Sequence, residues 1–301
     1  MLIAKSTPPV TAPTFDRIAA KMGTVGTRLD VRRMLPHARR RQIGPWTFLD
    51  HFGPADLAAT DFDVAPHPHT GLSTVTWVVE GEILHKDSLD SEQIIRPGQL
   101  NWMTAGRGIS HSEEVPKGAS GNIHGVQLWL AMPDSHRHSE PSFEHFAELP
   151  RWEAPGAVGT VLAGSANGLT SPARTHSPLV GLDIERFEKG TTTVPLNPAF
   201  EHGVMVAHGS ARVDGKVLGV GELAYLGMAR QTVDIETPGA AKIVIVGGEP
   251  LGEDILLWWN FVARSQAEVV QWRAEWEAAG ERFGSVDRYE GRRRLTAPPI
   301  P

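Results

Sequence analysis

The chain contains no cysteine. Disulfides, thiolate zinc sites and a cysteine nucleophile are therefore excluded, and any bound metal must be held by histidine, carboxylate or backbone oxygen. No apolar run approaches the roughly 20 residues needed to span a bilayer. The first residues, 1–9, lack a signal-like apolar region because Pro8 and Pro9 interrupt it, so the expected location is the cytoplasm. A basic surplus is also missing. The formal net charge is −6, which argues against direct nucleic-acid binding. Two arginine-rich regions, Arg32-Arg33 with Arg39-Arg40-Arg41 and Arg292-Arg293-Arg294, come with no nucleic-acid motif. They read as solvated loop charge or partners of nearby acids rather than a phosphate patch. Sustained heptads are absent too, which points to a monomer.

What is present is a chain of 301 residues, 41% of them apolar, enough for one large domain or two ordinary ones. Its 31 glycines and 23 prolines are spread along the whole length. Between them lie short β-rich runs at 72–79, 127–131, 179–187, 203–207 and 242–246. This spacing predicts an all-β protein of sandwich or barrel type. Glu80-Gly81 and Asp214-Gly215 read as turns. A weak internal repeat relates Val78-Val79-Glu80-Gly81 and Pro97-Gly98-Gln99-Leu100-Asn101-Trp102 to Val206-Ala207-His208-Gly209 and Val220-Gly221-Glu222-Leu223-Ala224-Tyr225. It predicts two related β domains. Residues 133–156, rich in Pro, Glu and His, read as a covering loop and linker.

The end of the chain differs. Ser265-Gln266-Ala267-Glu268 is a capping box that opens a helix. Val269, Trp272, Trp276 and Ala279 share one helical face, and Gly280 is placed to end it. The helix is expected to pack on a barrel, followed by a proline-rich tail at 296–301.

Two histidine pairs carry the candidate chemistry. His67-Pro68-His69 is followed 42 positions later by His111-Ser112-Glu113. In a strand, residues i and i+2 face the same way, so two such strands side by side would converge three imidazoles and one carboxylate. That donor set suits a divalent first-row transition metal. Pro66 and Pro68 stiffen the first pair, and Gly106-Arg107-Gly108 before the second permits close backbone approach. His136-Arg137-His138 has the same spacing but sits in a polar stretch without apolar alternation, and reads as exposed loop. His51, His85 and His124 read as core or loop histidines, with support of the ligands through hydrogen bonds as the alternative. Trp77 shares strand parity with Val75 and Val79, so it and Trp102 read as core, with a pocket wall as the alternative. Arg107 is expected to hold a substrate anion or cap a carboxylate.

Pro66-His67-Pro68-His69-Thr70-Gly71-Leu72, then Glu80-Gly81-Glu82-Ile83-Leu84-His85-Lys86-Asp87-Ser88, then the run from Arg96-Pro97-Gly98 through Gly106-Arg107-Gly108-Ile109-Ser110-His111-Ser112-Glu113 resemble the N-terminal domain of the pirin family. Phe48-Leu49-Asp50-His51-Phe52-Gly53-Pro54, His124-Gly125-Val126-Gln127-Leu128-Trp129, Gly247-Gly248-Glu249-Pro250-Leu251 and Trp259-Asn260-Phe261-Val262 extend the resemblance over nearly the whole chain.

The resemblance implies a bicupin, with two cupin-type β-barrels. Residues 1–150 would form a metal-binding cupin domain and 151–301 a second cupin domain with the closing helix. The family's ligands carry over to His67, His69, His111 and Glu113, and the usual metal is Fe(II), with Mn, Ni, Cu or Zn as chemically acceptable substitutes. The second domain departs from the pattern. Val194-Pro195-Leu196-Asn197-Pro198-Ala199-Phe200 has no histidine, and His202 and His208 lack a carboxylate at ligand spacing, so this barrel is expected to be metal-free and structural. The resemblance further implies a quercetin 2,3-dioxygenase that uses O2 and a small aromatic substrate. Glu113 would act as the base toward the flavonol 3-hydroxyl, and the products would be a depside and carbon monoxide. The alternatives are an iron-dependent regulatory protein that binds a transcription factor or metabolic enzyme, and a bicupin with a purely structural metal.

Overall fold

The computed structural model describes residues 4–26, 28–60, 62–291 and 294–300. Arg292 and Arg293 of the last arginine run, and Met1 to Ile3 and Pro301 at the ends, lie outside these. No helix of the described residues is long and apolar enough to cross a membrane. Strands dominate, as the turn-punctuated sequence predicts, and every run named above lies within or ends one residue past a strand.

Two barrels are built on one plan. In the first, a seven-stranded sheet runs in the order Ser142–Phe146, Leu100–Thr104, Leu72–Glu80, Asn122–Ala131, Trp46–Asp56, Leu29–Leu35, Lys21–Val25. A four-stranded sheet completes it, in the order Asp63–His69, Ile109–Glu114, Ile83–Asp87, Glu92–Ile95. In the second, the larger sheet runs Arg151–Ala154, Ala157–Ala166, Leu179–Arg186, Ala241–Gly248, Glu201–His208, Glu222–Gly227, Pro13–Ala19. Its smaller sheet runs Gly190–Pro195, Thr232–Thr237, Ser210–Val213, Lys216–Gly219. The repeat read from sequence is therefore a repeat of strand order. Leu72–Glu80 beside Leu100–Thr104 corresponds to Glu201–His208 beside Glu222–Gly227.

Strand alternation divides the side chains between two cores. On Leu72–Glu80, Val75 and Trp77 join Trp102, Leu128, Met205, Tyr225 and Val246 in one cluster between the barrels. The alternate residues, Thr74, Thr76 and Val78, face the first barrel's interior. Trp77 and Trp102 are thus core, not pocket walls. A polar knot lies at the same junction: buried Glu201 accepts from the backbone N–H of Gly44 and from the Tyr225 hydroxyl, with buried Arg40 at 3.6 Å. The Arg40 guanidinium also lies over the Tyr225 ring, 3.9 Å from its centroid. Arg39 pairs with Asp16 on the surface.

Residues 133–156 are more than a linker. Ser142–Phe146 adds an edge strand to the first barrel, and Arg151–Ala154 adds one to the second. The N-terminal strand Pro13–Ala19 in turn pairs with Glu222–Gly227 of the second barrel. The end of the chain returns to the first barrel, where the backbone N–H of Val262 donates to Thr70 and the Ser110 hydroxyl donates to the Phe283 carbonyl. Gly71, at φ +73°, is required there, since a Cβ would lie 2.1 Å from the Val262 carbonyl oxygen.

The helix Gln266–Glu277 opens with the expected capping box. Ser265 Oγ accepts from Glu268 N–H, and the Glu268 carboxylate accepts from Ser265 N–H. Val269, Trp272 and Trp276 are buried against Trp258, Phe261 and Phe283. The expected end differs by one residue. Ala279, exposed and at φ +53°, takes the left-handed position in place of Gly280. The N–H groups of Ala279 and Gly280 bond back to Trp276 and Glu275, which makes a Schellman end.

Candidate metal centre

His67 and His69 lie on Asp63–His69, and His111 and Glu113 on the neighbouring strand Ile109–Glu114. His67 and His111 are direct cross-strand partners, and His69 faces Ile109. The i, i+2 spacing and this register together bring the three imidazoles into one cluster, with ring centroids 4.3–5.1 Å apart. Their ligand nitrogens all lie within 4.8 Å of one another, and all three residues are buried.

Each ring's Nδ1 is already engaged. His67 Nδ1 is 2.9 Å from the Ala65 carbonyl, and His69 Nδ1 is 3.2 Å from the Asn260 carbonyl on the returning C-terminal segment. A carbonyl only accepts, so both Nδ1 atoms carry hydrogen and both Nε2 atoms are free lone pairs. His111 Nδ1 is 3.3 Å from His85 Nδ1, and His85 Nε2 is 3.0 Å from the Asp87 carboxylate. The carboxylate accepts from His85 Nε2–H, so His85 Nδ1 is the acceptor and His111 Nδ1 donates to it. His111 Nε2 is then a buried lone pair with no hydrogen-bond partner. A divalent ion satisfies that atom, and the donor set fits one. His85 therefore supports a candidate ligand, contrary to the core reading favoured from sequence. Its ring also stacks on Phe143, with centroids 4.3 Å apart.

Burial decides the protonation states. Desolvation lowers the His67 pKa to about 4, and it holds His69 and His111 well below the ordinary imidazole value, with neighbouring histidines adding to the effect. All three are neutral near pH 7, the form a metal would require of them. Glu113 is buried beside them, outside the close trio, and a register irregularity falls between it and His111. Desolvation raises its pKa to about 7, partly opposed by the Thr76 hydroxyl 3.4 Å from Oε1.

The imidazoles and Glu113 open into a cavity of about 500 Å³. Phe48 and Trp129 stack at 3.9 Å on its wall, and the Trp129 ring meets the His69 ring edge-on at 5.0 Å. Phe52, Phe62, Trp259 and Leu295 add apolar surface. Arg33 and Asp50 also line it, joined by two bonds of 2.8 and 2.6 Å. Sequence reading passed over these residues. Strand parity with Asp50 would have found Phe48 and Phe52, and parity with Gln127 would have found Trp129. The contributions from Trp259, Asn260 and Leu295 carry no local signal.

The remaining candidates fall elsewhere. His51 and His124 bond each other at 2.8 Å on the face opposite the cavity. His136 and His138 are exposed, while Arg137 between them pairs with Asp134 and Glu268. Arg107 caps the Glu140 carboxylate and does not line the cavity. In the second barrel the strands matching those of the imidazoles carry Val194 opposite Val233 and Thr192 opposite Ile235. Val194, Val233 and Ile235 belong to a packed hydrocarbon core. His202 is buried against Phe200 and Gly247, and His208 is exposed.

Fold and site define a two-barrel protein with a buried tri-histidine cluster in its first barrel. Two family models match: Pirin over residues 28–130, and the Pirin C-terminal cupin domain over residues 181–284. The chain belongs to the pirin family, within the cupin superfamily. It is 43% identical over 289 residues to a Pseudomonas aeruginosa protein named "Putative quercetin 2,3-dioxygenase PA1205", covering 95% of this chain and 91% of that one. A Pirin-like protein of Caulobacter vibrioides is 38% identical over 269 residues, covering 87% and 92%. A crystal structure of quercetin 2,3-dioxygenase from Acinetobacter baumannii superposes with a TM-score of 0.92 at 42% identity, covering 95% of this chain and 96% of that one.

Proposed function

We propose that the protein is a mononuclear Fe(II) dioxygenase that opens the ring of quercetin-like flavonols with O2, giving a depside and carbon monoxide. The observation that carries this reading is the convergence of three neutral imidazoles, with a carboxylic acid beside them, in an aromatic-walled cavity. His67, His69, His111 and Glu113 would hold the metal. When bound, such an ion supplies Lewis acidity and open coordination positions. The likeness to two proteins bearing the quercetin 2,3-dioxygenase name supports the substrate class.

The chain's own residues do the rest. Phe48 and Trp129, stacked on each other, present apolar ring edges to the cavity beside a planar ring system. A pKa near 7 leaves Glu113 able to accept the proton of a flavonol hydroxyl at working pH and to hold it at its carboxylate. Thr76 Oγ1 spends its single hydrogen on Gln127 Oε1 at 2.8 Å and lies 3.4 Å from the Glu113 carboxyl, where its lone pair can accept once Glu113 holds the proton. In this reading the first barrel, with Trp259, Asn260 and Leu295 of the returning C-terminal segment, carries the chemistry and the second barrel buttresses it; the protein works as a monomer, and the reducing cytoplasm keeps its iron as Fe(II).

The test is quercetin loss, followed by absorbance in air, with Fe(II)-reconstituted protein and His69→Ala beside it. Loss that requires both iron and His69 is expected. Protein holding one iron that shows no loss above the variant would refute the activity and leave iron-dependent partner binding as the reading to pursue.

A further inference from the structure

The cavity has a second chemical feature besides the metal centre. Cross-strand register sets Arg33, Asp50, Gln127 and Thr76 in one row across four adjacent strands: Arg33 faces Asp50, Asp50 faces Gln127, and Gln127 faces Thr76. Strand parity turns this row toward the barrel interior, between an apolar row holding Val31 and Phe52 and the aromatic row of Phe48 and Trp129. At the near end Thr76 reaches Glu113. Arg33 lies three strand spacings from Thr76, roughly 14 Å away.

Two donors on this row are unused. Arg33 spends Nε and Nη2 on Asp50, and its Nη1 has no hydrogen-bond partner among the described residues. Gln127 accepts from Thr76 at Oε1, and its side-chain amide donor likewise has no partner among them. Arg33 is also steadied from below, its guanidinium 4.5 Å from the centroid of the Phe48 ring. This row, one part of a cavity whose polar lining also includes Thr24, Asp63 and Asn260, thus holds two donors away from the imidazoles. Asp50 neutralises the arginine charge, so a ligand carboxylate would meet the Asp50 carboxylate at the same place. A neutral oxygen acceptor on an aromatic ring meets no such repulsion.

We propose that Arg33, set by Asp50, together with Gln127 forms a specificity edge that reads phenolic oxygens at the end of the substrate remote from the metal. The proposal rests on the flavonol reading and narrows it to polyhydroxylated flavonols. It makes Arg33 a residue of substrate selection with no part in the ring-opening step.

The experiment compares two ligands that share the metal-binding hydroxyl and carbonyl pair. Quercetin carries further phenolic hydroxyls, and 3-hydroxyflavone carries none. Dissociation constants are measured by tryptophan fluorescence without oxygen, on protein loaded with one Zn(II). Wild type is expected to bind quercetin about fivefold more tightly, the net value of one hydrogen bond from a part-exposed donor. Arg33→Lys, which keeps Asp50 compensated but loses the fork, and the double variant Arg33→Met/Asp50→Asn should both lose most of that preference. Zinc content and 3-hydroxyflavone affinity should stay within about twofold of wild type. Equal affinity for the two ligands in wild type overturns the proposal without any variant. So does a preference that persists in either variant, and so does failure of wild type to bind quercetin. Quercetin binding with the predicted preference but no turnover in air would sink the dioxygenase reading and leave the specificity edge standing. Turnover without preference would do the reverse.

Discussion

Lowering the pH from 7 to 5 should weaken metal binding by roughly 50-fold, and the loss should trace to Glu113 alone. Burial keeps His67 neutral down to about pH 4 and holds His69 and His111 well below the usual range. The histidines therefore release almost no protons on binding a metal above pH 5. Glu113 behaves in the opposite way. Its pKa of about 7 means that it is half protonated at pH 7 and about 99% protonated at pH 5. If a metal takes the carboxylate form, the competent fraction falls from about one half to about one hundredth, worth about 2.3 kcal/mol. The sign follows from competition: affinity rises by one decade per pH unit below 7 and levels off above it. Zn(II) titration by calorimetry from pH 5 to 8.5, in buffers of different ionisation enthalpy, reads both the affinity and the proton count. About one proton should be released per metal at pH 5.5 and nearly none at pH 8.5, and Glu113→Gln should flatten the curve. A flat wild-type profile would refute Glu113 as a ligand. A slope near two would refute the neutrality of the histidines.

The Asp87–His85–His111 chain predicts that His85→Ala weakens metal affinity about 10- to 100-fold while the fold survives, as checked by metal titration beside circular dichroism. Glu201→Ala leaves buried Arg40 without its carboxylate and should cost about 3–5 kcal/mol in denaturant unfolding; a loss under 1 kcal/mol would show the knot to be incidental. Ala279→Gly relieves a left-handed alanine on an exposed turn and should stabilise the protein by about 1 kcal/mol, seen as a higher melting temperature.

The imidazole trio was legible because everything that assembles it is periodic. The i, i+2 spacing fixes the face, and pairing of His67 with His111 fixes the register. The bicupin plan was legible for a related reason: the two copies keep turn glycines at matching strand ends, Gly81 with Gly209 and Gly98 with Gly221, all at positive φ. Contacts that depend on distant backbone atoms left no such trace. The Asn260 carbonyl orients His69 across 191 positions of sequence, and a carbonyl belongs to every residue. His85 read as core, with ligand support only as the alternative, since its partner lies on another strand and its role follows from a tautomer. Arg33 looked like one member of a basic run until register set it opposite Asp50. The edge strand Ser142–Phe146 was missed because its residues are only half-buried and show no clear alternation.

The most direct test of the account is the ratio of carbon monoxide released to quercetin consumed, measured in sealed vials of iron-loaded protein under air. One carbon monoxide per quercetin, abolished in His69→Ala, is the predicted result. Quercetin that disappears without carbon monoxide, or at the same rate in the variant, would contradict the dioxygenase reading.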